Sequence, residues 1–172
     1  LSDGKMHNAA VGVLSEHIRD TAQTVYLGGF AGSSSGKIQR GILENGKIGS
    51  ITTRSDVQSI GRLYAGGIAG RDDKQTQESE DAFRYESSIT QCQIMNTSVG
   101  SAYTAGGIIG ENNFSVISEN TMDGVSVYGG CDYAGHIAGI WRSTCCAAKD
   151  NYIANARTAT DTGTADIAAG YA

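Results

Sequence analysis

The sequence predicts an all-β fold, a parallel β-helix (β-solenoid) of about five coils. Its 172 residues include 24 glycines, no proline and only five leucines, a composition that suits turn-rich β structure better than a helical bundle. A glycine-rich phrase recurs along the chain, and short β-branched runs lie between its copies. Short strands of this kind bury an apolar face only by stacking on one another, as the units of a solenoid do.

The glycine-rich phrase has four clear copies and one weak copy. The clear copies begin at Tyr26, Tyr64, Tyr103 and Tyr133, and the weak one spans 165–169. The central apolar residues recur at intervals of 38, 40, 29 and 30 and are expected to form an inward-facing stack: Phe30, Ile68, Ile108, Ile137 and Ile167. The glycines are expected to set turns where a Cβ would clash or φ is positive: Gly28, Gly29, Gly66, Gly67, Gly106, Gly107 and Gly135.

Two further apolar sets complete the repeat. The pattern I-x-x-[GCN]-x-[LIM] starts at Ile38, Ile89, Ile117 and, weakened, Ala148. Ten residues after each start comes a mostly β-branched position: Ile48, Val99, Val127 and Thr158. Each unit of about 28–30 residues thus offers three short segments with strand composition. Stacked units would align tyrosine and asparagine columns into ladders, whereas the alternative is a small sandwich of hairpins with similar turns.

Two insertions, 52–62 and 71–86, interrupt a single repeat domain that spans 1–172, with repeats over about 26–170. The second insertion is rich in acids and is the candidate ligand-binding segment: Asp72, Asp73, Glu78, Glu80 and Asp81. Loops on a rigid scaffold often carry binding function, and carboxylate oxygens could bind calcium. The alternative is a solvent-exposed loop that binds no ligand.

Charge and hydropathy exclude two classes of partner. The net charge of −5 and a pI of about 5.1 argue against a nucleic-acid surface, which needs clustered Lys and Arg. No apolar run approaches the ~20 residues of a membrane span, so no membrane insertion of this segment is expected. The chain starts without Met and without a secretory signal, and we expect it to be a segment of a longer polypeptide whose other domains are its neighbours.

The phrase Y-A-G-G-I-A-G, followed by I-x-x-C-x-I and a β-branched residue, resembles the GLUG repeat of bacterial surface proteins. That repeat occurs in adhesin-like proteins and in non-catalytic regions of zinc metallopeptidases that cleave immunoglobulin A. The resemblance covers about residues 26–170 and implies an extracellular location at a bacterial cell surface or cell wall. It implies no catalysis in this segment, because those peptidases carry H-E-x-x-H in a separate domain. His136, which replaces the second glycine of its copy, departs from the pattern.

The four cysteines allow several readings. Cys92 stands in a column with glycine and asparagine, where a buried free thiol is the simplest expectation. Cys131, Cys145 and Cys146 surround His136, but adjacent cysteines point in opposite directions in a strand, so a zinc site is not predicted. A disulfide between Cys131 and one of the adjacent pair is the remaining alternative.

The function expected from these observations is a non-catalytic surface module with an adhesive or spacer role and no cofactor. Its partner would be a glycan or protein of the host surface. The alternative is a polysaccharide-cleaving β-helix enzyme, which needs two carboxylates on one rigid side of the solenoid. Asp123, Asp132 and Asp150 are the candidates for that side, although nothing in the sequence fixes their geometry.

Overall fold

The computed structural model describes residues 1–12, 24–49, 62–73, 87–130, 132–142, 146–160 and, for the backbone alone, 164–166. They form five successive coils of short strands. The first coil contains β1 (Lys5–His7), β2 (Ala10–Val11), β3 (Thr24–Gly28) and β4 (Ala31–Ser34). The second contains β5 (Lys37–Gln39), β6 (Ile42–Glu44), β7 (Lys47–Gly49), β8 (Arg62–Gly66) and β9 (Ala69–Asp72). The third contains β10 (Ser88–Thr90), β11 (Gln93–Met95), β12 (Ser98–Ser101), β13 (Thr104–Gly106) and β14 (Ile109–Asn112). The fourth contains β15 (Val116–Ser118), β16 (Thr121–Asp123), β17 (Ser126–Gly129), β18 (Tyr133–Gly135) and β19 (Ala138–Trp141). The fifth contains β20 (Ala147–Lys149), β21 (Tyr152–Ala154), β22 (Arg157–Thr160) and β23 (Thr164–Asp166).

Equivalent strands of successive coils pair in parallel and build five sheets along the solenoid axis. Sheet A contains β5, β10, β15 and β20; sheet B contains β1, β6, β11, β16 and β21; sheet C contains β2, β7, β12, β17 and β22. Sheet D contains β3, β8, β13, β18 and β23, and sheet E contains β4, β9, β14 and β19. The predicted parallel β-solenoid of about five coils is therefore confirmed.

The number of strands in each coil differs from the expectation of three. The glycine phrase folds into two strands because the chain turns at Gly67 and Ile68, between β8 and β9. The second apolar phrase also divides, at a corner that separates Ile38 in β5 from Leu43 in β6. A complete coil therefore has five strands. The sequence pattern marks the apolar runs but does not show where a sharp corner cuts a run in two.

Two of these corners turn at a single residue with left-handed backbone geometry. At the corner between sheets A and B, these residues are Asp3, Arg40, Gln91, Glu119 and Asp150, with φ from 52° to 59°. At the corner between sheets B and C, they are Asn8, Asn45, Asn96, Gly124 and Asn155, with φ from 48° to 65°. Asparagine and glycine tolerate this region best, which explains the composition of the second corner.

The core consists of the apolar columns that the sequence predicts. Strand registers align Ile38 with Ile89 and Ile48 with Val99, and all four side chains are buried. Of the central residues of the glycine phrase, Ile68, Ile108 and Ile137 are buried, which confirms the predicted inward position. Phe30 is partly buried and packs against the core, and Ile167 lies outside the described residues. Burial of each large aliphatic side chain contributes about 1.5–3 kcal/mol.

The glycine phrase permits backbones to approach closely. A Cβ added at Gly66 would lie 1.9 Å from the carbonyl oxygen of Ala69 and 2.6 Å from the amide nitrogen of Gly110. A Cβ at Gly67 would lie 2.1 Å from the carbonyl oxygen of Gly107 in the next coil. The φ of these phrase glycines is not positive, since positive φ among the described glycines occurs at Gly49 and Gly124. Lack of space, and not handedness, therefore requires glycine here.

The same environments recur in the other copies. A Cβ at Gly28 or Gly106 would meet the carbonyl oxygen three residues later, at 2.1 and 1.9 Å. A Cβ at Gly29 or Gly107 would meet a carbonyl oxygen of the following coil, at 2.4 and 2.1 Å. Gly135 ends β18 and pairs with Asp166. The phrase is therefore a packing device that brings sheets D and E together.

Two predicted columns are corrected by the observed register. Thr104, not Tyr103, pairs with Tyr64 and Tyr133, because the third copy has an extra residue before its glycines. The tyrosine ladder is thus confined to Tyr26 and Tyr64, whose rings stack with centroids 5.2 Å apart. In the weak fifth copy, Asp166 pairs with Gly135, one residue away from the alignment that the sequence indicated.

The insertion boundaries also shift. Arg62 begins β8, and β9 extends to Asp72, so the predicted loops 52–62 and 71–86 overlap strands at these ends. The remainder of both insertions lies outside the described residues, except Asp73, which directly follows β9. No helix in the described ranges is long and apolar enough to cross a membrane.

Candidate functional site

The first acid of the predicted binding segment is buried in the fold. Asp72 is 1% exposed, at the end of β9. Its carboxylate accepts hydrogen bonds from the backbone amides of Asn113 (2.5 Å) and Phe114 (2.7 Å) and from the hydroxyl of Ser115 (2.9 Å). The Asn113 carboxamide donates to the same side chain at 3.2 Å and to the Asp72 carbonyl at 2.8 Å. Asp72 therefore holds the turn between β14 and β15 in place, and its oxygens face the chain's own donors.

The second acid is on the surface. Asp73 forms an ion pair with Arg71, with 2.7 Å between Nη2 and Oδ1, and accepts a hydrogen bond from the hydroxyl of Ser33. Glu78, Glu80 and Asp81, the other members of the predicted segment, lie outside the described residues. Calcium binding by this segment thus remains a prediction. Within the described ranges, no group of three or more His, Cys, Asp or Glu side chains could hold a metal ion.

A second polar cluster joins the outward side chains of sheets D and E. Arg142 donates to the Glu111 carboxylate at 2.7 Å and to the Tyr64 hydroxyl at 3.0 Å. Arg71 lies over the ring of Tyr26, with its guanidinium carbon 4.2 Å from the ring centroid. These contacts place aromatic and charged groups along the first four coils, with Arg142 ion-paired to Glu111 and Arg71 ion-paired to Asp73.

The electrostatics of this cluster favour the neutral phenol and the charged guanidinium. Burial, and then the neighbouring Glu111 carboxylate, raise the pKa of Tyr26. The hydrogen bond to Glu111 raises the pKa of Arg142. Since Glu111 is ion-paired with Arg142, its carboxylate is held as an acceptor in a salt bridge, a role different from that of a general acid.

The acids proposed for the enzyme alternative are not brought together. Asp123 lies at the corner between sheets B and C and accepts a hydrogen bond from Asn155 at 2.8 Å. Asp150 lies at the other end of sheet B, and Asp132 lies between β17 and β18. The three acids lie at three different corners of the coil, so the expectation that they line one side is wrong. The sequence could not show this because it did not reveal the corners.

The buried thiol predicted at Cys92 is confirmed. The side chain is 0% exposed, and burial raises the pKa of the thiol. Cys146 lies with its Sγ 3.4 Å from the carbonyl oxygen of Asn112, whereas Cys131 and Cys145 are outside the described residues. The disulfide between Cys131 and one of the adjacent pair therefore stays an alternative. His136 is 8% exposed and replaces a phrase glycine without displacing the neighbouring Ile137 from the core.

A polar groove of about 420 Å³ lies at the corner between sheets B and C and spans the second, third and fourth coils. We call it the corner groove; its lining residues are Asn45, Gly46, Lys47, Asn96, Thr97, Ser98, Gly124 and Ser126. Sequence reasoning missed it. A signal was present, because Asn45, Asn96 and Asn155 each precede a member of the predicted third column by three residues.

No family model, curated protein or solved structure matches this chain in the three comparisons made.

Proposed function

We propose that this chain is a non-catalytic repeat module of a bacterial cell-surface protein, with an adhesive or spacer role outside the cell. The observation that carries the proposal is that side chains able to act as an acid, a base or a nucleophile are engaged in holding the fold together. Asp72 holds a turn, Glu111 is ion-paired and the Cys92 thiol is buried. Groups engaged in this way stabilise a stack of coils and are poorly placed to act on a substrate.

The geometry also suits a spacer. Successive coils rise ~4.8 Å along one axis, so their number sets the reach of the module. Parallel ladders and ion pairs between coils, such as the bidentate contact of Arg40 with Asp3, join each unit to the next. Further coils of the same kind would extend such a rod without a change in architecture.

Direct binding tests the adhesive role. The purified chain is presented to a panel of mucosal glycans and extracellular-matrix proteins, with and without calcium. A variant in which 74–86 is replaced by Gly-Ser sequence of equal length removes the acidic side chains but keeps Arg71, Asp72 and Asp73. The same replacement of 51–61 is the matched control.

Saturable binding by the parent supports an adhesin, and its loss in the 74–86 variant alone places the site on that insertion. Binding to no member of the panel overturns the adhesive role and leaves a spacer. Release of new reducing ends from any polysaccharide would overturn the non-catalytic assignment in favour of the polysaccharide-cleaving alternative.

A further inference from the structure

The asparagine column changes residue within the corner groove. Asn45 and Asn96 occupy this column in the second and third coils, and Gly124 occupies it in the fourth. A Cβ added at Gly124 would lie 2.7 Å from Oδ1 of Asn96, so that side chain extends into the space left by the missing one. A side chain at position 124 would therefore fill part of the groove.

The groove presents hydrogen-bonding groups that the described part of the fold does not use. The Asn155 carboxamide, in the same column, donates to Asp123, and the Thr97 hydroxyl donates to the carbonyl of Met95 and accepts from the amide of Gly46. The structure gives no comparable contact to the carboxamides of Asn45 and Asn96, which are exposed. Ser98 and Ser126 add hydroxyls in register on neighbouring strands.

Charge selects the kind of ligand. Lys47 is the only charged residue among the described residues that line the groove. Two carboxylates, Glu44 and Asp123, and a second cation, Arg157, neighbour the lining; Arg157 is in register with Ser126. Two cations beside two carboxylates leave no net charge that favours an anionic ligand, whereas carboxamides, hydroxyls and an ammonium group suit the hydroxyls of a neutral sugar.

We propose that the corner groove binds a neutral oligosaccharide lying along the solenoid axis. The inference deepens the proposed adhesive function and depends on it. The groove volume falls in the range of about 300–1,000 Å³ typical of small-molecule sites. Its amides and hydroxyls repeat at the ~4.8 Å coil spacing, and a pyranose unit in an extended β-linked chain advances by a similar distance. Each coil then meets one sugar.

A competing explanation shapes the choice of variants. Asparagine also suits this corner because it tolerates a left-handed backbone, so an asparagine there needs no ligand. Replacement by glycine keeps the backbone geometry and removes only the carboxamide. The double variant Asn45→Gly/Asn96→Gly therefore tests binding without disturbing the corner. Asn8→Gly, in the same column but outside the groove, is the matched control, and Gly124→Asn fills the groove with a residue that the column accepts elsewhere.

Fluorescence anisotropy with end-labelled cellohexaose and chitohexaose measures binding, and labelled hexagalacturonate is the acidic comparison. We expect saturable binding of a neutral hexasaccharide, weakened at least tenfold in the double variant and in Gly124→Asn, and unchanged in Asn8→Gly. Midpoints of thermal unfolding establish that the variants are folded.

Four results overturn the inference. Full-strength binding by the folded double variant removes the groove as the site, and stronger binding of hexagalacturonate removes the neutral ligand. No binding of either neutral hexasaccharide, while other members of the mucosal and matrix panel bind, also rejects the groove but leaves the proposed function standing. Binding to nothing rejects both the groove and the adhesive role, and leaves a spacer.

Discussion

Asn120 and Asn151 occupy equivalent positions in the fourth and fifth coils, and Oδ1 of Asn151 accepts two hydrogen bonds from Asn120. The Nδ2 donor lies at 2.9 Å and the backbone amide at 3.1 Å. The pattern repeats one coil earlier, where Oδ1 of Asn120 accepts from the amide of Cys92 at 2.9 Å. The second Nδ2 proton of Asn120 reaches the carbonyl of Ile89 at 3.0 Å. This ladder satisfies backbone groups that a corner buries away from water.

Cys92 continues the ladder column without completing its hydrogen bonds. Its Sγ lies 3.9 Å from the carbonyl of Ile38, the oxygen equivalent to the one that Asn120 reaches in the next coil. We expect Cys92→Asn to add this bond and raise the free energy of unfolding by about 1 kcal/mol. Urea denaturation measures the change, with Cys92→Ala as the matched cavity control. An asparagine variant less stable than the alanine variant would contradict the ladder geometry.

Asp72 and Asp73 are adjacent acids, and we expect replacement of the first to destabilise the fold far more than replacement of the second. Asp72→Asn replaces a carboxylate oxygen by an amide group that faces the donors of Asn113, Phe114 and Ser115. We expect a loss of roughly 1–3 kcal/mol, or several degrees in the thermal midpoint. Asp73→Asn, at a surface ion pair, should change stability by less than ~1 kcal/mol. Equal effects of the two variants would show that the buried acceptor is not needed.

Alanine variants at Gly67 and Gly36 distinguish the cost of a steric clash from the general effect on stability of replacing glycine. A Cβ at Gly67 would press on the carbonyl oxygen of Gly107, whereas at Gly36 it would meet nothing within 4 Å. We expect Gly67→Ala to cost about 3 kcal/mol through displaced backbone, and Gly36→Ala to change stability by less than ~0.5 kcal/mol. Calorimetry measures both. A Gly67→Ala variant that melts with the parent would reject the proposed close approach of the coils.

The fold could be predicted because its apolar columns are written directly into the sequence. Ile38 and Ile89 align in the structure as they do in the repeat, despite the two insertions between them. Parallel stacking places equivalent residues one above another, so a period in the sequence becomes a column in space. The glycines of the phrase were also predicted, and a Cβ clash, one of the two reasons expected for them, is the reason that the structure shows.

Corners and surface sites escaped prediction because they depend on the backbone path within a coil. Arg40, Gln91 and Glu119 adopt left-handed backbone geometry, although their residue types do not indicate it. Asp72 looked like a loop acid because its partners, Asn113 and Ser115, are more than 40 residues away in sequence. The corner groove, too, exists only after Asn45, Asn96 and Gly124 are stacked.

Ile108 tests the core assignment. Its side chain is fully buried in the third coil, between the equivalent residues Ile68 and Ile137. Ile108→Asp buries a charge without a counterion and should abolish cooperative unfolding, because the cost is several kcal/mol. Tyr152→Asp, at a position 65% exposed, is the matched control and should melt like the parent. A soluble Ile108→Asp variant with the parent's unfolding transition would contradict the inward position.

Tyr26 should make stability depend on alkaline pH. Burial and the carboxylate of Glu111 raise its pKa above the ordinary 10.0, so above about pH 10 the unfolded chain releases this proton while the folded chain still holds it. Fewer protons bound in the unfolded state mean that stability falls as pH rises through this window. Stability from this group is therefore complete below pH 10 and is lost above it.

Thermal midpoints from pH 8 to 11 should fall less steeply in Tyr26→Phe than in the parent. Glu111→Gln removes one of the two causes, so its slope should lie between those of the parent and Tyr26→Phe. Tyr133→Phe, a matched change at an exposed tyrosine of sheet D, should have the parent's slope. Identical pH profiles for the parent and Tyr26→Phe would show that the phenol ionises as readily in the folded chain as in the unfolded one.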